Sequence, residues 1–383
     1  MKKKIKVFCP LVQLVNDEVS QICKPGILNS DKCELVESSF FGFKILRDQA
    51  WAKNFKANGG AQLAPNLEGT FGEPFKEKWI KYQEEEIDVV ILHSSGNPDE
   101  FKAAAKHYKH LPIINIDYKD VAGIDKSKSG EFGNNIINNR MHVDLGKEEN
   151  IFNFKRSLTK MHLGLPLEFE KTLYEIHHSP YCVREDILRK CEELSVPYYK
   201  RKFDISCFFP ESRKGYTINN IINEHPRNPR GWMPSVVASL KGFNSHVGFT
   251  TGNNKAPAQE GRAGQKIDIV GSTQYKYAQI MSNSKIIATA CPCNYEGDFR
   301  LMEAMTSGAL VMHNYMLRPP QGLENGKHWI VYDNAQDLAE KICFYNRYPE
   351  KAKQIADAGK DLVIKNHRSH HRVEEWLKIA GLI

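Results

Sequence analysis

Several signatures are missing from this 383-residue sequence, and each absence narrows what the chain can be. No apolar run reaches the roughly 18–20 residues that a membrane span requires. The start, Met1 to Pro10, has a basic front, but its apolar stretch is too short for a secretion signal and reads as a first strand. The expectation is a cytoplasmic protein, at most peripheral to a membrane surface. No Gly-x-x-x-x-Gly-Lys-Ser/Thr loop appears, which argues against an NTPase of that type. There is no internal repeat and no low-complexity tract. The nine cysteines follow no repeating spacing, and their one close pair, Cys291 and Cys293, is too tightly spaced for the usual zinc or redox knuckle. Buried, reduced thiols are expected.

What is present is ordinary in bulk, with 41% hydrophobic and 26% charged residues, as in a globular protein. The length suggests two α/β domains rather than one. A formal charge of +7 favours anionic partners, but it is dispersed rather than blocked.

Short apolar runs alternate with helical or loop segments. Lys4–Cys9, Ile87–His93 and Leu111–Asp117 read as strands buried on both faces of a parallel sheet, and Asp99–His107 as a helix between two of them. The Gly-, Asn- and Pro-rich stretch 53–72 reads as a long loop. Segments around Phe154–Leu163 and Pro180–Val183 are expected to bridge the domains. A second α/β series starts at Phe203–Phe209. It continues with helix Pro234–Gly242, strand His246–Thr250, helix Tyr275–Asn283 and strand Lys285–Ala290. Helix Phe299–Ser307 and strands Ala309–His313 and His328–Tyr332 follow, and Ala335 to Leu382 is almost all helical pattern.

The most informative run is 283–311, a strand, an irregular polar loop, a short helix, a glycine stop and another strand. The backbone N–H groups of Gly297, Asp298 and Phe299 would point out of the helix start, where phosphate binds favourably. Arg300, on the first turn, can add charge-assisted bonds to a diphosphate. Glu303 is one turn further on and can accept hydrogen bonds from ribose hydroxyls. Gly308 permits a left-handed helix end. The plainer alternative is that Arg300 and Glu303 form a solvated ion pair on an ordinary helix.

The pattern Arg300-x-x-Glu303-Ala304-x-x-x-Gly308-Ala309-x-Val311, after a strand and a glycine-containing loop, resembles the donor-binding element of GT-B glycosyltransferases, in the group-one-like and exostosin-like style. The match spans roughly Tyr275 to Asn334, and the N-terminal half agrees only in architecture. The resemblance implies two Rossmann-like domains whose parallel sheets face across a cleft: residues 1–175 for the acceptor, 176–355 for the nucleotide-sugar donor, and C-terminal helices over 356–383. It further implies that Glu303 binds the donor ribose and that Arg300 and Gly297 contact the diphosphate. Arg213 and Lys214, in the loop after the first C-domain strand, and Lys285 on the strand before the motif, become further donor-site candidates. Ile269, Val270 and Tyr275 are candidates for the base.

One departure from the family concerns its retaining members, which often carry two glutamates with seven residues between them. Here Glu296 and Glu303 have six between them, which leaves the stereochemical outcome open with inversion slightly favoured. An inverting enzyme needs a base from the N-domain; Asp17, Glu18 and His93 are the candidates, with Asp117 and Asp120 behind them. Asp-x-Asp is absent, which argues against a metal-dependent GT-A enzyme. His367 and His371, four apart, read as part of a solvated basic turn rather than metal ligands. The implied activity is therefore metal-independent transfer of a hexose-like or deoxyhexose sugar from a UDP- or GDP-linked donor to a glycan or other hydroxyl acceptor, with no cofactor. The alternatives are a sugar-nucleotide epimerase on the same scaffold and a basic nucleic-acid-binding protein, the weaker of the two.

Overall fold

The computed structural model describes residues 3–9, 18–36, 79–80, 86–93, 105–117, 150–155, 176–210, 229–250, 277–290, 296–297, 299–316 and 318–383. The chain forms two compact units: Met1–Pro180 with Ser369–Ile383, and Tyr181–Arg368. In chain order the first unit contributes β1 (Ile5–Phe8), α1 (Glu18–Asn29), β2 (Cys33–Val36), β3 (Trp79–Ile80), β4 (Val89–His93), β5 (Ile113–Asp117), β6 (Ile151–Lys155) and β7 (Ile176–His178). The second contributes α2 (Glu185–Glu193), β8 (Phe203–Pro210), α3 (Pro229–Ser239), β9 (Ser245–Thr250), β10 (Ser284–Thr289), α4 (Phe299–Thr306), β11 (Leu310–Asn314), β12 (Ile330–Tyr332), α5 (Ala335–Arg347) and α6 (Pro349–Asn366). The last helix, α7 (Ser369–Ile379), belongs to the first unit. Among the described residues, no helix is long and apolar enough to cross a membrane.

The first sheet is parallel throughout, in the order β3-β2-β1-β4-β5-β6-β7. Four successive side chains of β4, Val89 to Leu92, are fully buried, as a strand covered on both faces requires. Strand order reverses between β1 and β4, so the carboxyl ends of these two neighbours flank a topological switch point. Helices α1 and α7 pack against each other at Gly26, where an added Cβ would lie 2.5 Å from a Val373 methyl and 2.6 Å from the Ser369 carbonyl oxygen. Trp376 of α7 is fully buried; its indole N–H donates to Ser179 Oγ at 2.9 Å, and its ring lies 6.1 Å from that of Phe154.

The second sheet is also parallel, in the order β12-β11-β10-β8-β9. The period-two alternation of its strands sends side chains into two separate cores. Ile286, Ala288, Leu310 and Met312 pack with Met233, Val237, Leu338 and Ile342 from α3 and α5. Ile287 and Val311 face the other way, onto Ile187, Leu301, Met305 and Val363 from α2, α4 and α6. Local signals set the helix limits. The Asn334 side chain caps α5 by accepting from the Asp337 N–H at 3.0 Å. Gly308, with φ of +73°, ends α4 in the left-handed region before β11 begins.

Three expectations need correction. The segment at Phe154 does not bridge domains: β6 is hydrogen-bonded between β5 and β7, which places Phe154 fully buried within the first sheet. Cys343 is exposed, unlike the six other described cysteines. His367 is not solvated; it is buried behind α6 with Nε2 at 2.8 Å from the Gln321 carbonyl oxygen. The two compact units divide at 180/181 and 368/369, where the sequence suggested domain limits at 175/176 and 355/356. The difference follows from β7 pairing with β6, and from α6 packing on the second unit's cores.

Candidate donor site

In the second sheet the order reverses between β8 and β10, so the switch point lies at the carboxyl ends of these neighbours. Ligands of open parallel sheets bind outside such ends. The chain leaving β10 reaches Glu296 and Gly297 and then enters α4, which begins at Phe299. Gly297 is needed for packing: a Cβ there would run into the Leu301 side chain, whose Cβ and Cγ would lie 3.0 and 3.1 Å away. Phe299 stacks on Tyr181 at 4.0 Å between ring centroids, which fixes the first turn of α4.

All eight residues of α4 are buried, so Arg300 and Glu303 are not a solvated surface pair. Arg300 is 6% exposed and Glu303 1%. The Glu303 carboxylate lies inside a polar network. Tyr277 donates its hydroxyl to Oε2 at 2.9 Å, and Arg184 Nη1 stands 3.4 Å from Oε1. Arg184 is itself anchored on Asp186 through Nε at 3.3 Å and Nη2 at 2.8 Å. Burial pushes the Glu303 carboxyl above its usual range, against the opposing pull of Arg184, the Tyr277 hydrogen bond and the more distant Arg300. For Asp186 burial also acts upward, but the Arg184 charge and hydrogen bond prevail and hold it below its usual range.

The remaining candidates fall in different places. Glu296 is buried immediately before Gly297. Lys285 sits near the amino end of β10, opposite the ligand-binding edge, and is ion-paired with Asp204 at 2.8 Å. That position removes it from the donor site. Arg213, Lys214, Ile269, Val270, Tyr275 and Asp298 lie outside the described residues. In the first unit, His93 is the last residue of β4 and Glu18 the first of α1, which follows β1; both stand beside that sheet's switch point. Asp17 and Asp120 lie outside the described residues, and Asp117 ends β5.

Sequence reasoning missed Arg184 and Tyr277. Arg184 sits just ahead of α2, and nothing in its local sequence connects it to α4. Tyr277 could have been found, since it lies on the segment expected to be helical before β10.

Two parallel sheets with paired switch points define the class of fold, and solved structures share it. The chain aligns with an alpha-glucosyltransferase in complex with UDP at a TM-score of 0.52 and 10% identity, covering 99% of each chain. With the Anabaena protein HepE in complex with UDP the TM-score is 0.51 and the identity 11%, covering 100% of both chains. The fold is GT-B. Residues 255–378, which include β10, α4 and most of the C-terminal helices, match the family described as glycosyl transferase-like. No curated protein sequence matches the chain. Residues 255–378 thus resemble glycosyl transferases, and the fold of the chain is that of GT-B enzymes. The matches lend no support to an epimerase or a nucleic-acid-binding protein.

Proposed function

We propose that this enzyme transfers a hexose-type sugar from UDP to a hydroxyl acceptor, without a metal and with inversion at the anomeric carbon. The observation that carries the reading is the buried Glu303 carboxylate on α4, the helix that follows β10 and its switch point. A carboxylate there suits the two hydroxyls of a donor ribose, and the backbone N–H groups opening α4 suit the diphosphate. Arg300, buried on the first turn, supplies positive charge to the same group. Uridine is favoured over guanosine because both solved relatives above carry UDP.

Inversion requires a base that takes the acceptor proton as the glycosidic bond to UDP breaks. His93, Glu18 and Asp17 are the candidates, and the first two belong to elements beside the first sheet's switch point. Without a metal, the leaving diphosphate is stabilised by the helix start, Arg300 and the candidates Arg213 and Lys214. The N-terminal unit binds the glycan or other hydroxyl acceptor, and the enzyme works in the cytoplasm or at a membrane surface.

A thermal-shift panel tests this reading: UDP, GDP and their glucose and mannose conjugates, with and without EDTA, on the wild type and Glu303→Ala. UDP-linked compounds should stabilise the wild type equally with and without EDTA, and the variant much less. Stabilisation only by guanosine compounds, or only with divalent metal, contradicts the respective part of the proposal.

A further inference from the structure

Glu303 Oε1 is buried and accepts no hydrogen bond among the described residues, although its partner oxygen is bonded to Tyr277. Its near neighbour is the Arg184 guanidinium, at a distance longer than a normal hydrogen bond. That guanidinium has little freedom. Two of its nitrogens are held by the Asp186 carboxylate, and Arg184 is only 3% exposed. The third nitrogen, Nη1, is thereby aimed at Glu303. A buried acceptor in a native protein normally has a donor. Here the protein supplies a fixed positive charge at 3.4 Å and leaves the acceptor's lone pairs uncommitted within the described residues.

We infer that Arg184, anchored on Asp186, is a positioning residue for donor recognition: it orients Glu303 so that Oε1 receives the hydroxyl hydrogen bonds of the donor ribose. Tyr277 fixes the other oxygen and so sets the carboxylate plane. Preference for a ribonucleoside diphosphate over its dideoxy analogue is then a property of the whole Asp186–Arg184–Glu303–Tyr277 network. The inference rests on the assignment of Glu303 to the donor ribose.

Calorimetric titration with UDP and with 2′,3′-dideoxy-UDP separates the two claims. The quantity read is the ratio of the two dissociation constants. Hydrogen bonds to a buried carboxylate predict a wild-type ratio of about tenfold or more in favour of UDP. Glu303→Ala should bring that ratio to about one. Arg184→Met should do nearly the same while changing dideoxy-UDP affinity by less than about threefold, since the removed charge acts through the ribose contact. Arg184→Lys keeps the charge but loses the two-point anchor on Asp186, and should lower the ratio at least about threefold. That variant carries the test if the Met variant does not fold. If Arg184 were only structural, its variants would weaken both nucleotides equally and keep the ratio, while Glu303→Ala would still lose it. That outcome overturns the inference and spares the Glu303 assignment. A wild-type ratio of about one, no binding of either nucleotide, or an unchanged ratio in Glu303→Ala overturns the assignment and the inference together.

Discussion

Arg201 donates through Nη2 to the carbonyl of Ser307 at 2.7 Å, tying the segment before β8 to the end of α4, 106 residues later. The same guanidinium donates to the Ser284 carbonyl at 2.8 Å and to Val196 at 3.1 Å. One side chain thus satisfies carbonyls at the start of β10 and the end of α4, the two elements that frame the donor motif. Arg201→Ala leaves these carbonyls without their charged donor. At about 1–3 kcal/mol for each buried group stranded, the expected loss is on the order of 3 kcal/mol or more. Urea denaturation checks it, and a loss below about 1 kcal/mol would show the three bonds to be replaceable.

The close approach of α1 and α7 at Gly26 makes a second prediction. A methyl there meets the Ser369 backbone as well as the Val373 side chain, and the backbone cannot swing aside. Gly26→Ala should therefore destabilise the first unit by about 1–3 kcal/mol, despite alanine's better helix propensity. The thermal midpoint should fall, and amide exchange in α7 should quicken. An unchanged midpoint would mean that the two helices separate without cost.

Glu374 gives the first unit a defined pH dependence. Its carboxylate accepts from Ser30 Oγ at 2.8 Å and from the Lys32 ammonium. Burial raises this carboxyl, but the Lys32 and Ser30 hydrogen bonds and the Lys32 charge prevail, so it lies below its usual range. A depressed carboxyl contributes its stability in full above the unfolded value of about 4.3 and loses it as pH falls through the lower folded value. The stability gap between the wild type and Glu374→Gln should be widest near neutral pH and shrink steadily below about pH 4. Denaturant midpoints across that range measure it; a constant gap would exclude the ion pair as its source.

The second unit was far more legible in sequence than the first. Its strands are continuous apolar runs such as Ile286–Ala288 and Leu310–Met312, and Gly308 marks a helix end that only a residue tolerant of positive φ occupies easily. In the first unit the periodic signal is interrupted. Helix α1 carries Pro25 and Gly26 in its interior, along with the fully buried Lys24, whose ammonium burial lowers to about 8. Strand β6 holds buried Asn153 and Lys155 where apolar residues would have announced a strand, and Asn115 Nδ2 of β5 donates to Asn153 Oδ1 at 2.8 Å. At the site, Arg300 and Glu303 were visible because they share one helix turn with a glycine before and after it. Arg184 was not, because only tertiary folding carries it from the approach to α2 onto α4. Lys285 was misplaced because a strand pattern does not reveal which of its ends faces ligand.

Donor recognition turns on Glu303, and a crystal structure of the full chain with UDP measures its role most directly. The prediction is a uridine diphosphate at the carboxyl ends of β8 and β10, its ribose hydroxyls within about 3.2 Å of the Glu303 carboxylate and its phosphates at Gly297 and the start of α4. A bound nucleotide whose ribose leaves Glu303 in contact only with Arg184 and Tyr277 would contradict it.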